Sequence, residues 1–290
     1  MRFSFYRPVR WAAAVALAVA VVSPLAPLSQ KAHALSTQTP WQKPKQSELT
    51  AVWWRWLLSI PVSKSPVIDP PPTAPAGTIG GANACSGQPY PDLLFLAGTF
   101  TVSNLQNGDV VGEVTRSISV KNGTALFFPL LNGEADNVGC KPHLASAPGQ
   151  CPFPRPFSVP QLRAYIAAQQ DVATGLYSKL TPTAANFKTA TAPTRLLEHP
   201  RLRSPVFSFT LPATDNLYQS AGVNVSGKIE PAVADGYYSL IRGDLPGNLA
   251  PGYYVLEFGG GAPINDKGNT FTDAITYHIT VTPGGSACAP

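Results

Sequence analysis

Glu134 and Asp136 stand two residues apart, between Asn132 and Asn137, where the apolar run 125–131 ends. Carboxylates at positions i and i+2 of a strand share a face. Two of them converging on one bond can act as a general acid and a general base, as in glycoside hydrolysis. The same oxygens, joined by those of Asp109, Asn132 and Asn137, also suit a hard cation such as calcium, which gathers several oxygen ligands. The plainer reading is a strand leaving a core with its acids hydrated at the exit. Arg116 adds a charge on the face of Val114 and Ile118. An unpaired charge there is costly, so its planar fork is expected to meet Glu134 or Asp136. Trp54 lies off the apolar stripe of its segment and is a candidate platform for a sugar ring, with core packing as the competing reading. Asn132 and Asn137 complete the candidate binding set.

Other chemistries lack their signatures. No G-x-S-x-G nucleophile turn, H-E-x-x-H zinc motif, phosphate loop or dinucleotide fingerprint occurs. Gly259-Gly260-Gly261 follows a strand pattern with no helix pattern after it and reads as a turn. His278 alternates with apolar positions and should face solvent or a groove; His199, in Glu198-His199-Pro200, reads as loop. The four cysteines allow three pairings, of which Cys140 with Cys151 and Cys85 with Cys288 are favoured. The rival is zinc on Cys140, His143 and Cys151, but no fourth ligand stands at a recognisable spacing.

These residues need elements to hold them. Leu49, Val52, Trp53, Trp56, Leu57 and Ile60 recur at helical spacing after Ser47-Glu48, and Pro61 stops the pattern. Residues 61–84 form a Pro-rich strap. Residues 93–100 are a near-continuous apolar run, the mark of a strand covered on both faces. Val114, Ile118 and Val120 alternate with polar residues up to Asn122-Gly123, a strong hairpin signal. That hairpin would set Ile118 opposite Phe127, Arg116 opposite Pro129 and Asp136 opposite Asp109. Ser158 can cap a second helix, whose stripe runs through Leu162, Tyr165, Ile166, Ala173, Leu176, Tyr177 and Leu180. Strand patterns return near 206–211, 222–228, 236–241, 252–258 and 274–281. The fold class expected is mainly β: an antiparallel β-sandwich with about two flanking helices.

The totals bound the rest. Arg2, Arg7 and Arg10 precede the apolar run 11–22, and Ala32-His33-Ala34 offers small residues for cleavage, the pattern of a signal peptide over 1–34. The run is shorter than the roughly 20 residues that span a bilayer. Cleavage near Ala34 would leave 256 of the 290 residues. Four of the 21 basic residues would leave with the leader, so 17 would face 16 acids. That balance argues against nucleic acid or an anionic membrane as partner. Residues 35–84 then hold the first helix and the strap, and 85–290 the sandwich with its inserted helix near 159–180.

Trp53-x-x-Trp56-x-x-Ser59-Ile60-Pro61, Phe95-Leu96-Ala97-Gly98-Thr99-Phe100 and Ala125-Leu126-Phe127-Phe128-Pro129-Leu130-Leu131-Asn132 form a distinctive set. With Ala234-Asp235-Gly236-Tyr237-Tyr238, Pro251-Gly252-Tyr253, Phe258-Gly259-Gly260 and the strand 275–281, they resemble a family of exported bacterial proteins with no activity assigned to it. The resemblance implies export and one β-rich domain and carries no reaction or ligand. The expectation from the whole chain is an exported, secreted or periplasmic sandwich, disulfide-bonded and free of a membrane span after cleavage. It would bind a glycan or envelope partner without catalysis and without a cofactor. A glycan hydrolase using Glu134 and Asp136, and a calcium-stabilised domain, are the alternatives.

Overall fold

The computed structural model describes residues 45–75, 77–100, 103–104, 109–138, 156–243, 249–263, 269–284 and 288–290. The leader segment, Cys140, His143 and Cys151 lie outside them. Among the described residues the chain forms three α-helices, α1 (Gln46–Ser59), α2 (Val159–Gln170) and α3 (Leu217–Ser220), and strands in two sheets. The five-stranded sheet orders β1 (Leu93–Phe95), β4 (Ala125–Ala135), β9 (Gly227–Ile241) and β7 (Arg201–Arg203), with β8 (Phe207–Leu211) also on β9. The seven-stranded sheet orders β12 (Cys288–Ala289), β3 (Val110–Lys121), β11 (Thr270–Thr282), β10 (Gly252–Pro263), β5 (Thr174–Thr183) and β6 (Arg195–Leu196), with β2 (Ser103–Asn104) on β3. The fold is mainly β, as the patterns predict. Both sheets are mixed, because β1 runs parallel to β4 and β3 parallel to β11.

The two sheets pack face to face. Leu126, Phe128, Leu130 and Ile241 of the smaller sheet meet Val114, Ile118, Phe258, Ile275 and Tyr277 of the larger. Phe128 and Phe258 bring their ring centroids to 4.5 Å. A side chain of this kind contributes roughly 1.5–3 kcal/mol when fully buried. The other face of the smaller sheet carries α1, whose Trp53 and Trp56 join Phe95, Phe127 and Tyr238 in a second core. Both indoles also satisfy their N–H groups, Trp53 on the Leu96 carbonyl at 2.9 Å and Trp56 on that of Ser86 at 2.8 Å.

Two expected elements are corrected. Asn122-Gly123 does turn the chain, with Thr124 N–H on the Lys121 carbonyl and Gly123 at φ 89°. Yet β3 and β4 then part into different sheets, so Ile118 does not face Phe127, nor Arg116 Pro129. The cause is burial. The first six residues of β4 are all buried and need cover on both faces, which a hairpin edge would not give. The second correction is the helix expected near 159–180: it ends at Gln170, and residues 174–183 are strand β5, paired with β10. Leu176 and Leu180, four apart, satisfy a period of two as well as one of 3.6. The apolar run 93–100 supplies only three strand residues, although burial continues through Ala97.

Candidate functional site

The position of the acids is decided by one extra residue. Simple alternation would put Asn132, Glu134 and Asp136 on the side of Leu126, Phe128 and Leu130, which face the larger sheet. The pairing of β4 with β9 shifts between Pro129 and Leu131, so Leu130 is a bulge. Past it, the parity of β4 is reversed. Glu134 now lies beside Ala234 on the α1 side of the sheet, and both carboxylates reach Tyr218 of α3. Tyr218 Oη donates to Asp136 Oδ2 at 2.6 Å and lies 3.4 Å from Glu134 Oε2. Burial, then the neighbouring Asp136 charge, hold the Glu134 carboxyl well above the usual carboxylate range, against the opposing pull of the Tyr218 hydrogen bond. Glu134 Oε1 is buried with no hydrogen-bond partner among the described residues. The point on which the two acids converge is thus occupied by the Tyr218 hydroxyl, where a hydrolase would need its scissile bond.

The remaining candidates separate. Asn132 donates to Tyr238 Oη at 3.1 Å. The Trp54 indole lies near the same hydroxyl, close enough to favour its ionised form yet outside hydrogen-bond geometry. Trp54 is 8% exposed and belongs to the α1 core, so the expected surface platform is corrected: its ring is packed beneath the sheet. Asn137 spends both ends of its amide on the backbone of Phe157, at 2.7 and 2.8 Å. Asp136 Oδ1 accepts from Val138 N–H. Asp109, set opposite Asp136 by the predicted hairpin, instead accepts from Thr270 N–H at 2.7 Å at the start of β11. The five proposed calcium ligands are therefore not brought together. No cluster of three or more His, Cys, Asp or Glu suited to a metal occurs among the described residues.

Arg116 is fully buried, as its place between Val114 and Ile118 predicts, but Glu134 and Asp136 are not its partners. Its Nε donates to the Asp69 carbonyl at 2.7 Å, and Nη1 donates to the Ala97 carbonyl at 2.9 Å and to Tyr277 Oη at 3.2 Å. Its guanidinium also lies over the Tyr277 ring, 5.6 Å from the centroid. Asp273, further along the same inner face, has its pKa pushed up to about 8 by burial, which outweighs the attraction of Arg116. Arg116 ties the strap to the seven-stranded sheet, because Asp69 lies in that strap.

The feature that sequence patterns miss lies on the outer face of the seven-stranded sheet. Phe187, in the turn after β5, has φ 56°, a left-handed conformation uncommon for a bulky residue. The turn is held by Asn186 Oδ1, which accepts from the backbone of Lys188 and Thr189. In consequence the Phe187 ring lies flat on His278, with centroids at 4.7 Å and planes 4° apart, and meets Tyr253 edge-on at 5.7 Å. Burial lowers the His278 pKa, so the stacked imidazole is neutral at neutral pH. The strand register surrounds this trio with hydroxyls. His278 pairs with Ser117, Thr280 with Ser119 and with Tyr253, and Val255 with Thr181. The outward position of His278 was legible from alternation; the loop aromatic that covers it carried no period to find it by.

The fold and these sites define a two-sheet, mainly β protein with flanking helices, closed by a disulfide between Cys85 and Cys288 whose Cα atoms are 5.7 Å apart. No helix among the described residues is long and apolar enough to cross a membrane. Comparison with protein families, with curated proteins and with solved structures finds no match.

Proposed function

We propose that this is an exported, non-catalytic β-sandwich that binds a glycan on the outer face of its seven-stranded sheet. The observation that carries the reading is the Phe187–His278–Tyr253 platform. Backbone held in a sparsely populated region persists only where its surroundings enforce it, and such residues concentrate at ligand sites. Here the strained residue is an aromatic, stacked on the His278 ring and neighboured in the strand register by Ser and Thr residues. An apolar plate with hydroxyls at its rim matches a sugar ring, which has apolar C–H faces and polar edges. Export is supported by the leader pattern of residues 1–34 and by the Cys85–Cys288 bridge, a bond that persists in oxidising compartments. The resemblance to exported bacterial proteins points the same way. The acid pair, turned inward onto Tyr218, supports a binding protein over a hydrolase.

Screening the mature protein on a glycan array is the direct test. Phe187→Ala and Tyr253→Ala should each weaken the strongest hit by about tenfold, as loss of an aromatic anchor does at binding hot spots, with near-native melting temperatures. An array without hits, or hits indifferent to both substitutions, would overturn the reading.

A further inference from the structure

Where α2 covers the smaller sheet, the fold holds a second site. Asp235 on β9 is 2% exposed and receives Arg201 through two hydrogen bonds, Nε to Oδ1 at 2.8 Å and Nη2 to Oδ2 at 3.0 Å. Arg201 also pairs with Asp171 at the end of α2. Its charge is thus spent within the fold. Arg203 is different: only its Nε reaches Asp235, at 3.2 Å, and its side chain is 62% exposed. Both of its terminal amino groups are left over. Arg163 of α2 also lines this place and has no ion-pair partner among the described residues. The two flank a cavity of about 40 Å³ lined also by Ile166, Ala234 and Asp235. Three arginines against two aspartates leave one positive charge, and two of the three arginines line the cavity.

We infer that Arg163 and Arg203 form a receptor for a carboxylate group. A guanidinium fork matches a carboxylate in a planar, two-bond geometry. At about 40 Å³ the cavity is a few times the roughly 10–15 Å³ needed to hold one water, so it admits a small charged group while the rest of the ligand stays outside. Asp235 does not repel the guest, because two arginines already neutralise it. Arg201 holds the floor rigid, and the free amino groups of Arg203 and Arg163 supply the donors. This site is independent of the aromatic platform and stands or falls separately.

Isothermal titration of the mature protein with acetate, glucuronate and glucose at constant chloride concentration tests it. Saturable binding of glucuronate, weakened about tenfold or more in Arg163→Gln and in Arg203→Gln, is the expected result; hydrogen bonds to charged groups are of that strength. Acetate bound at the same site assigns the recognition to the carboxylate alone, and acetate excluded while glucuronate binds assigns it to an acidic sugar. Glucose should be indifferent to both substitutions, which separates this site from the platform. Arg163→Gln removes no hydrogen bond among the described residues and should melt with the native protein. Absence of saturable binding by either acid, or affinities unchanged in both variants, would overturn the proposal.

Discussion

At the scale of single residues, the interior charges set how stability varies with pH. Asp273 titrates near 8 in the folded protein and near 3.8 when unfolded. The folded state therefore holds a proton that the unfolded state has released. Its contribution is complete below the unfolded pKa, falls as pH rises between about 4 and 8, and is fully lost above. Glu134, also raised, adds a loss of the same sign. Asp273→Asn keeps the shape and removes the titration. Urea unfolding across this window should give a native protein that weakens by several kcal/mol toward pH 8 and a variant with a distinctly flatter profile. Parallel profiles would show that Asp273 ionises freely. Arg116 illustrates what was legible at this scale. Its burial followed from the two-residue period, but two of its three partners are the backbone carbonyls of Asp69 and Ala97. A carbonyl has no sequence signature, since every residue carries one.

At the scale of elements, the bulge at Leu130 and the seating of α2 work together. Reversed parity turns Gly133 toward α2, where a Cβ would collide with the Ile166 side chain. The absent side chain is what lets the helix lie on β4. Gly133→Val should destabilise by about 1–3 kcal/mol, the usual cost of overpacking, read as a lower urea midpoint. Ile166→Ala in the same chain should recover part of the loss, because it removes the atoms in conflict; if it adds to the loss, the contact is not the cause. The face that Glu134 occupies was hidden from the sequence for a related reason. Alternation reads parity from a fixed origin, and one unpaired residue resets it without changing any residue type. Helix α2 shows the complementary failure: its start was legible from Ser158 and Leu162, but Leu176 and Leu180 fit both periods, so its end was not. The strand character of 114–120, 124–131 and 274–281 was legible from alternation or a continuous apolar run, but the extensions to 110–121, 125–135 and 270–282 were not.

At the scale of the whole molecule, the Cys85–Cys288 bridge joins positions 203 residues apart, and Cys288 sits in β12 against Val120 of β3. In the chain-entropy picture a loop of that length is worth about 5 kcal/mol. Cys85→Ser with Cys288→Ser should lower the unfolding free energy by a few kcal/mol at unchanged secondary structure in far-ultraviolet circular dichroism. Equal midpoints would mean that β12 is dispensable. The parallel pairing of β3 with β11 reaches almost as far, since Val110 lies beside Phe271. During synthesis, the ribosome releases β3 long before the strand that completes its ladder. The nascent chain therefore carries β3 without this neighbour until residues 270–282 have been made, and pairing over so long a separation is slow to form. A chain built this way closes its larger sheet only when its late strand meets one made some 160 residues earlier.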